Sequence, residues 1–221
     1  MKIDQIIRTK RKSIALIVKH DAKLVVRAPL NATDAQILAL IEKKKDWIRT
    51  KQEIVSETYL KAAPKEYVNG EGFWFLGKTY RLEIIEKADK PLDFNELFLL
   101  DKAVLPKANN VFTNWYREQA LRIISERAAW YATKYGLSYK QVRITSAKTR
   151  WGSCSSKGTI SFAWRLVMAP VPIIDYVVVH ELVHMVEKNH GKAFWAKVKA
   201  IMPDFKQRIE WLEVNEQLFI L

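Results

Sequence analysis

The sequence predicts an α+β fold: a β-rich N-terminal unit with one helix, followed by a C-terminal domain whose helix carries the pattern His-Glu-x-x-His. Short runs of alternating apolar and polar residues, typical of strands, fill much of the first hundred residues. Apolar residues recur at helical spacing over about residues 34–59 and 109–135. The His-Glu pattern lies in a strongly apolar segment after both. We therefore divide the chain into residues 1–108 and 109–221.

Two hairpins are predicted in the N-terminal unit. Residues 13–29 alternate around a polar break, which places His20 at the exposed tip of a β-hairpin. Residues 73–85 alternate around a turn at Gly77 and predict a second hairpin. Residues 97–100 add a further strand.

The two long helices have recognisable ends. Thr33 or Asn31 provides an N-cap for a single helix over about residues 34–59. The second helix, over about residues 109–135, is expected to stop at Gly136, because glycine adopts the left-handed conformation that closes helices.

The C-terminal domain continues with two strands and three helices. Residues 142–145 and 159–164 are predicted strands, and a polar connector at residues 148–157 joins them. Pro172 suits the first turn of the next helix, where a missing N–H costs nothing. A short helix over about residues 192–201 and a last amphipathic helix follow.

Composition and charge favour a soluble, folded protein of the cytoplasm. Hydrophobic residues make up 49%, and the single cysteine, Cys154, excludes an internal disulfide and fits a reducing compartment. No apolar run approaches the roughly 20 residues that span a membrane. The net charge is +13, and residues 111–170 hold 10 Lys and Arg against 2 Asp and Glu. Such a basic segment occurs on nucleic-acid-binding surfaces, and also on ordinary basic surfaces.

Three of the four histidines, His180, His184 and His190, lie within eleven positions. Residues four apart on a helix share a face about 6 Å apart along the axis, so His180 and His184 can converge on one ion. Zinc accepts imidazole nitrogens at about 2.0–2.1 Å, and in catalytic sites it keeps one position open for water. Glu181 has the chemistry to take a proton from that water. The motif predicts a zinc-dependent hydrolase with one Zn²⁺ per chain.

His190 completes the predicted set of ligands only if the chain turns. A continuing helix would carry it roughly 9 Å beyond His184 and onto another face. The spacing equals that of the metzincins, but Glu187 stands in place of their turn glycine. We therefore place the turn later, near Asn189, since Asn189 and Gly191 tolerate the left-handed conformation.

Carboxylates offer alternatives within the metal hypothesis. Glu187 shares the helical face of the two motif histidines, so it would orient a ligand, act as third ligand, or be a solvated charge. Glu210, Glu213 and Glu216 on the last helix would supply a carboxylate ligand in place of His190.

Several segments together match a known family. They are Arg27-Ala28-Pro29, Lys44-Lys45-Asp46-Trp47-Ile48, Arg150-Trp151-Gly152-Ser153-Cys154, His180-Glu181-Leu182-Val183-His184, Asn189-His190-Gly191 and Phe194-Trp195. In this combination the chain resembles the YgjP-like metallopeptidases over nearly its whole length. The resemblance implies a cytoplasmic metal-dependent hydrolase with a zincin-like C-terminal domain over residues 109–221. It also implies a zinc site of His180, His184 and His190, with Glu181 as catalytic base.

Peptide or protein is the expected substrate, and further residues are candidates for binding it or for assisting catalysis. The strand over residues 159–164 is a candidate to bind an extended peptide by strand addition. Arg150 or Tyr176 would stabilise the oxyanion. Cys154 is expected to be a packed thiol rather than a nucleophile.

Two other functions stay open at this point. One is a non-catalytic module that associates with nucleic acid through residues 111–170 and has a structural metal site. A more distant likeness, to SprT-like proteases that in some cases act on DNA-bound proteins, bears on it by analogy only. The other is an amidase that applies the same zinc chemistry to a non-peptide bond.

Overall fold

A computed structural model describes residues 2–19, 22–61, 64–215, 219 and 221, with the side chains of residues 54–61 left out. Packing divides the chain into two compact units. One comprises Met1–Ala63 and Val214–Leu218, and the other Pro64–Glu213 and Phe219–Leu221. The boundary placed between residues 108 and 109 falls inside the second unit and stays a prediction. The secondary structure is mixed α+β, as predicted.

The first unit contains a three-stranded sheet. Its strands are β1 (Gln5–Thr9), β2 (Ala15–Val18) and β3 (Leu24–Pro29). β3 lies in the middle, antiparallel to β2 and parallel to β1. The first predicted hairpin is thus confirmed as β2–β3, whereas β1 was not predicted. His20, expected at the hairpin tip, lies outside the described residues.

Two helices follow where one was predicted: α1 (Asp34–Lys43) and α2 (Lys45–Lys61). Thr33 caps α1, and its hydroxyl and the Gln36 side chain form a reciprocal capping box. The helix is interrupted at Lys44, which has φ −110° and ψ 13°. The single-helix prediction was wrong because the break has no proline or glycine to mark it, only consecutive lysines.

The second unit begins with a four-stranded sheet and a long helix. The strands are β4 (Gly72–Phe75), β5 (Lys78–Ile85), β6 (Leu92–Phe94) and β7 (Phe98–Asp101), in the order β4-β5-β7-β6. A 3₁₀ turn (Lys102–Lys107) leads into α3 (Ala108–Tyr135). The predicted hairpin over residues 73–85 is confirmed as β4–β5. Aromatic rings pack between this sheet and α3: the ring centroids of Phe73 and Phe112 lie 4.3 Å apart in a stacked arrangement.

A second three-stranded sheet follows α3, which ends at Gly136 in the predicted left-handed conformation with φ 64°. Its strands are β8 (Gln141–Thr145), β9 (Gly152–Cys154) and β10 (Thr159–Ala163). β10 is the central strand, parallel to β8 and antiparallel to β9. The expected role of residues 159–164 in strand addition is therefore wrong, because both edges of β10 are already paired. β9 lies within the segment predicted as a polar connector and forms one edge of the sheet.

Three helices complete the unit. They are α4 (Val171–Val183), α5 (Lys192–Ile201) and α6 (Phe205–Asn215), and a 3₁₀ turn (Trp164–Met168) precedes them. Pro172 lies in the first turn of α4, as predicted. α4 packs against α3, α5 and β9. None of the helices in the described ranges is both long and apolar enough to cross a lipid bilayer.

An ion pair joins α4 to α3. Asp175, which is 6% exposed, accepts two hydrogen bonds from Arg127, at 2.6 Å and 2.9 Å. This bidentate geometry fixes the position and rotation of α4 as well as adding attraction. The His-Glu pattern begins at His180, five residues further along the same helix.

Candidate metal centre

The three clustered histidines present their Nε2 atoms to one point. His190 Nε2 lies 3.0 Å from His184 Nε2 and 2.9 Å from His180 Nε2, and the three atoms all lie within 4.8 Å of one another. Nitrogens bound at about 2.05 Å around a tetrahedral ion are separated by about 3.3 Å. The three imidazoles therefore already have the spacing of a three-nitrogen metal site.

The helix ends earlier than predicted. α4 stops at Val183, and His184 is its C-cap residue. The N–H of Glu187 donates to the carbonyl of Val183 at 2.9 Å, and the chain then leaves the helical path. The turn expected near Asn189 is thus displaced towards His184, and it forms without the glycine that metzincins have there.

Contacts of the Nδ1 atoms hold two of the rings in place. His184 Nδ1 lies 3.0 Å from the carbonyl oxygen of Glu187. A carbonyl only accepts, so Nδ1 carries the proton and Nε2 keeps its lone pair. His180 Nδ1 lies 3.4 Å from the Tyr176 hydroxyl. The backbone of the turn and the preceding turn of α4 thus orient the two motif histidines.

Aromatic rings from α5 support the cluster. Phe194 is fully buried, and its ring centroid lies 4.9 Å, 4.5 Å and 4.7 Å from those of His180, His184 and His190. Trp195 stacks on His190, with centroids 5.7 Å apart and planes at 24°. This packing restricts the imidazoles to converging orientations, since close-packed side chains hold their rotamers.

Burial and the neighbouring histidines favour the neutral forms of His180 and His190, and neutral imidazole is the form that binds metals. Burial, followed by the charges of His184 and His190, lowers the pKa of His180 to about 4. The pKa of His190 is also lowered, first by burial and then by His184.

Glu181 lies beside the cluster and is 5% exposed. Among the described residues its Oε2 atom has no hydrogen-bond partner. Burial raises the pKa of Glu181 to about 7, against a smaller opposing effect of the Arg150 charge. A buried acceptor without a protein partner is costly, so this oxygen is suited to a ligand or water.

A cleft of about 460 Å³ lies between the histidine cluster with Glu181 and the strand β9. The three histidines and Glu181 line one side, together with Met185 and Lys188. Residues 152–156, which include β9, line the other. The size is within the range of pockets that hold small ligands or peptide segments.

β9 presents a free strand edge to this cleft. Its hydrogen bonds to β10 are made by residues such as Trp151 and Ser155. Alternate residues of an antiparallel strand bond to the same neighbour, so the N–H and C=O groups of Gly152 and Cys154 point away from β10. Among the described strands, none pairs with this edge.

Comparisons with known proteins identify the family of the chain. The model of the family described as "YgjP-like, metallopeptidase domain" matches residues 12–215. The chain belongs to the YgjP-like metallopeptidase family. A metal-dependent hydrolase is therefore supported, and the family implies a metal ion. Comparison with curated proteins found no match.

One solved structure that is similar to this YgjP-like protein is the crystal structure of the metallopeptidase zymogen of Pyrococcus abyssi abylysin. The two chains are 21% identical, and the match covers 44% of this chain and 99% of that one, with a TM-score of 0.40.

Of the carboxylates offered as alternative ligands, those within the described residues of this YgjP-like protein are not grouped with the three histidines. Glu187 acts through its main-chain carbonyl, while its carboxylate lies 3.8 Å from Lys197. Glu210 and Glu213 are not among the groups placed to share a metal with the histidines, and Glu216 lies outside the described residues.

The structure favours some of the other expected roles and disfavours one of them. Tyr176 lies on the Nδ1 side of His180, remote from the Nε2 face, which disfavours it as an oxyanion donor. Arg150 is exposed, and its charge acts on Glu181. Cys154 lines the cleft beside Met185, with the sulfurs 3.3 Å apart, and burial followed by the Glu181 charge raises its pKa. A thiol held protonated is a poor nucleophile, as expected.

Two features of the site were not predicted from the sequence. Gly152 faces Glu181 directly, and β9 forms the open edge, yet the segment was assigned to a connector. Three residues are too few for a periodic signal. The glycine between Trp151 and Ser153 was the available sign, because an isolated glycine in a strand often marks a close approach.

Proposed function

We propose that this protein is a zinc peptidase, in which His180, His184 and His190 hold Zn²⁺ through Nε2 and Glu181 is the general base. The observation that carries the proposal is the convergence of three Nε2 atoms beside a buried carboxylate oxygen that lacks a partner. Three imidazoles leave the open fourth position of a catalytic site rather than closing a structural one. A zincin-like arrangement of the C-terminal domain, residues 109–221, is part of the same proposal.

The donor set fits zinc on chemical grounds. Neutral imidazole suits borderline ions such as Zn²⁺, whereas Mg²⁺ and Ca²⁺ prefer sets of oxygen ligands. The Glu187 carbonyl and Tyr176 hydroxyl provide the outer contacts that orient ligating histidines. When bound, the metal polarises a scissile carbonyl and makes water a nucleophile near neutral pH.

Glu181 transfers the proton in this mechanism. Its Oε2 accepts a proton from the attacking water and passes it to the leaving amine nitrogen. Burial keeps bulk water from competing for the carboxylate of Glu181. The backbone of Gly152 packs against this carboxylate and restricts its position. This role needs no movement of α4, since Glu181 and the histidines belong to one helix and the turn after it.

We assign the substrate to the free edge of β9. The outward N–H and C=O groups of Gly152 and Cys154 would pair with an extended peptide by strand addition. The edge lines the same cleft as the histidines, so a peptide there lies against them. Arg150, two residues before Gly152, is the candidate to stabilise the oxyanion. The single free cysteine supports a location in the cytoplasm, which stays a prediction.

The test compares metal content and hydrolysis across three proteins. Wild type is expected to bind about one zinc per chain by mass spectrometry, and His180→Ala/His184→Ala is expected to lose it while keeping its circular dichroism spectrum. Glu181→Gln is expected to keep the metal and lose at least about 100-fold in hydrolysis of a peptide library. Unchanged hydrolysis in Glu181→Gln would refute the mechanism. Hydrolysis of small amides but not peptides would favour the amidase alternative.

A further inference from the structure

The charges around the cleft are unbalanced. Glu181 is the single carboxylate among the residues that line it, and it lies deep inside. Lys188 lines the cleft and is exposed. Arg150 lies near enough for its charge to act on the Glu181 carboxylate. Bound zinc would add two further positive charges, so the cleft as a whole is cationic.

Neither of these cations forms an ion pair with a neighbour within the described ranges. Ten salt bridges connect described residues, and none includes Lys188 or Arg150. The nearby Lys197 differs, because it lies 3.8 Å from the Glu187 carboxylate. A cation without a fixed partner retains its field for a ligand, and cleft walls of low dielectric focus that field.

Lys188 lines the cleft, and Arg150 precedes the strand that forms its other side. Lys188 lies between the ligands His184 and His190, on the segment that turns after α4. Arg150 lies two residues before Gly152, at the start of the free edge. A peptide strand along β9 would therefore meet one cation from each side.

We propose that Lys188 and Arg150 determine specificity, and that the cleft selects peptides with Asp or Glu close to the scissile bond. This inference rests on the proposed peptidase function and names its substrate class. An acidic side chain gains attraction to both cations and to the metal charge. A basic side chain is repelled by all three, so the cleft discriminates by repulsion as well as by attraction.

The first experiment measures specificity in hydrolysis. Zinc-loaded wild type is incubated with a proteome-derived peptide library, and mass spectrometry reads the cleaved bonds. Asp and Glu are expected to be enriched within about three residues of the cleaved bond, the reach of a charge at moderate salt. For a matched peptide pair with Glu or Gln at the enriched position, kcat/KM is expected to be about tenfold higher for Glu.

Charge reversal supplies the decisive comparison. Lys188→Glu is expected to remove most of the preference for the Glu peptide. Because Arg150 is also the proposed oxyanion donor, Arg150→Glu is compared by peptide binding and not by rate. Lys206→Glu is the control, because Lys206 is exposed on α6 and does not line the cleft. It carries the same kind of charge change and is expected to keep the preference. Cleavage without acidic enrichment, or equal loss of preference in the control, would overturn the inference while leaving the peptidase function intact.

Binding provides a readout that does not need turnover. Fluorescence anisotropy of the Glu and Gln peptides on zinc-loaded Glu181→Gln is expected to show the same preference, falling as salt rises. If this binding preference holds but no peptide is cleaved by wild type, the peptidase function fails and the charge selection stands. If a single-stranded oligonucleotide of about 20 nucleotides binds more tightly than the acidic peptide and depends on Lys188 and Arg150, the cleft belongs to nucleic acid and the inference fails.

Discussion

The backbone of Gly152 lies directly against the carboxylate of Glu181. A Cβ atom at position 152 would overlap Glu181 Oε1 and would lie only 2.6 Å from its Cγ. Glycine is required here by proximity and not by an unusual backbone angle, since this residue lies in β9 and is not among the glycines with positive φ. The strand that borders the cleft and the helix that carries the acid therefore approach as closely as a backbone allows.

Gly152→Ala is expected to impair catalysis more than folding. The added methyl group must displace Glu181 or β9. Overpacking of this kind typically lowers the free energy of unfolding by about 1–3 kcal/mol. A displaced carboxylate loses its alignment, and a misplacement of about 1 Å costs on the order of 100-fold in rate. Metal content should stay unchanged, because the three atoms nearest to the added methyl group all belong to Glu181 and none belongs to a histidine. Peptide hydrolysis, zinc content and urea denaturation measure the three effects.

Gly191→Ala is the matched control for this substitution. It too adds one methyl group beside a site residue, but a Cβ at position 191 meets no atom within 4 Å. Gly191 is the N-cap of α5, where alanine is less favourable by about 1 kcal/mol or less. Activity within about threefold of wild type is expected. Equal losses in both variants would argue against the specific contact with Glu181.

Tyr176→Phe is expected to weaken metal binding without removing it. The Tyr176 hydroxyl lies 3.4 Å from His180 Nδ1, which is a long contact. Loss of a contact that orients a metal ligand typically lowers metal affinity by about 10–100-fold, so we expect a loss of about tenfold here. Chelator competition measures the affinity. Tyr135→Phe, on the exposed end of α3, removes a hydroxyl away from the site and should leave the affinity unchanged. No change in Tyr176→Phe would show that Phe194 packing alone orients His180.

Cys154→Ser is expected to keep kcat/KM within about threefold of wild type. Burial and the Glu181 charge both raise the pKa of the thiol, so little thiolate is present to act as a nucleophile. The substitution preserves the backbone groups of β9, which carry the proposed contact with substrate. A loss of about 100-fold or more, in protein that retains its zinc, would require a chemical role for the sulfur.

The histidine cluster was predictable because its signal is local. His180 and His184 are four residues apart, and helical geometry alone brings them to one face. The C-terminal end of α3 and the first turn of α4 were likewise marked by Gly136 and Pro172. Each of these features depends on residues that are neighbours in sequence.

The remaining features depend on contacts between distant residues. β9 becomes recognisable only through its pairing with β10, and the role of Gly152 arises from a residue 29 positions later. The break at Lys44 has no residue type that marks it. The early end of α4 involves a bond from the His184 ring to the Glu187 carbonyl. Periodicity in a sequence does not report such tertiary contacts.

Asp175→Asn tests whether the ion pair with Arg127 stabilises α4. Removing one member of a buried pair leaves the other charge without a partner, which typically costs about 3–5 kcal/mol. The Arg127 side chain is 26% exposed, so water recovers part of that cost and about 2 kcal/mol is expected. The midpoint of urea denaturation measures the loss. Glu86→Gln, in the exposed pair with Lys102, should cost less than about 1 kcal/mol.

The double variant Arg127→Met/Asp175→Leu separates attraction from desolvation. Replacing both charges with apolar side chains removes the unpaired charge, and such replacements are often neutral or stabilising. We expect the double variant to unfold within about 1 kcal/mol of wild type, and to be more stable than Asp175→Asn. Zinc affinity should then be weaker in both, because the bidentate pair also sets the rotation of the helix that presents His180 and His184. Restored stability with unchanged zinc affinity would show that apolar packing between α3 and α4 alone positions the metal helix.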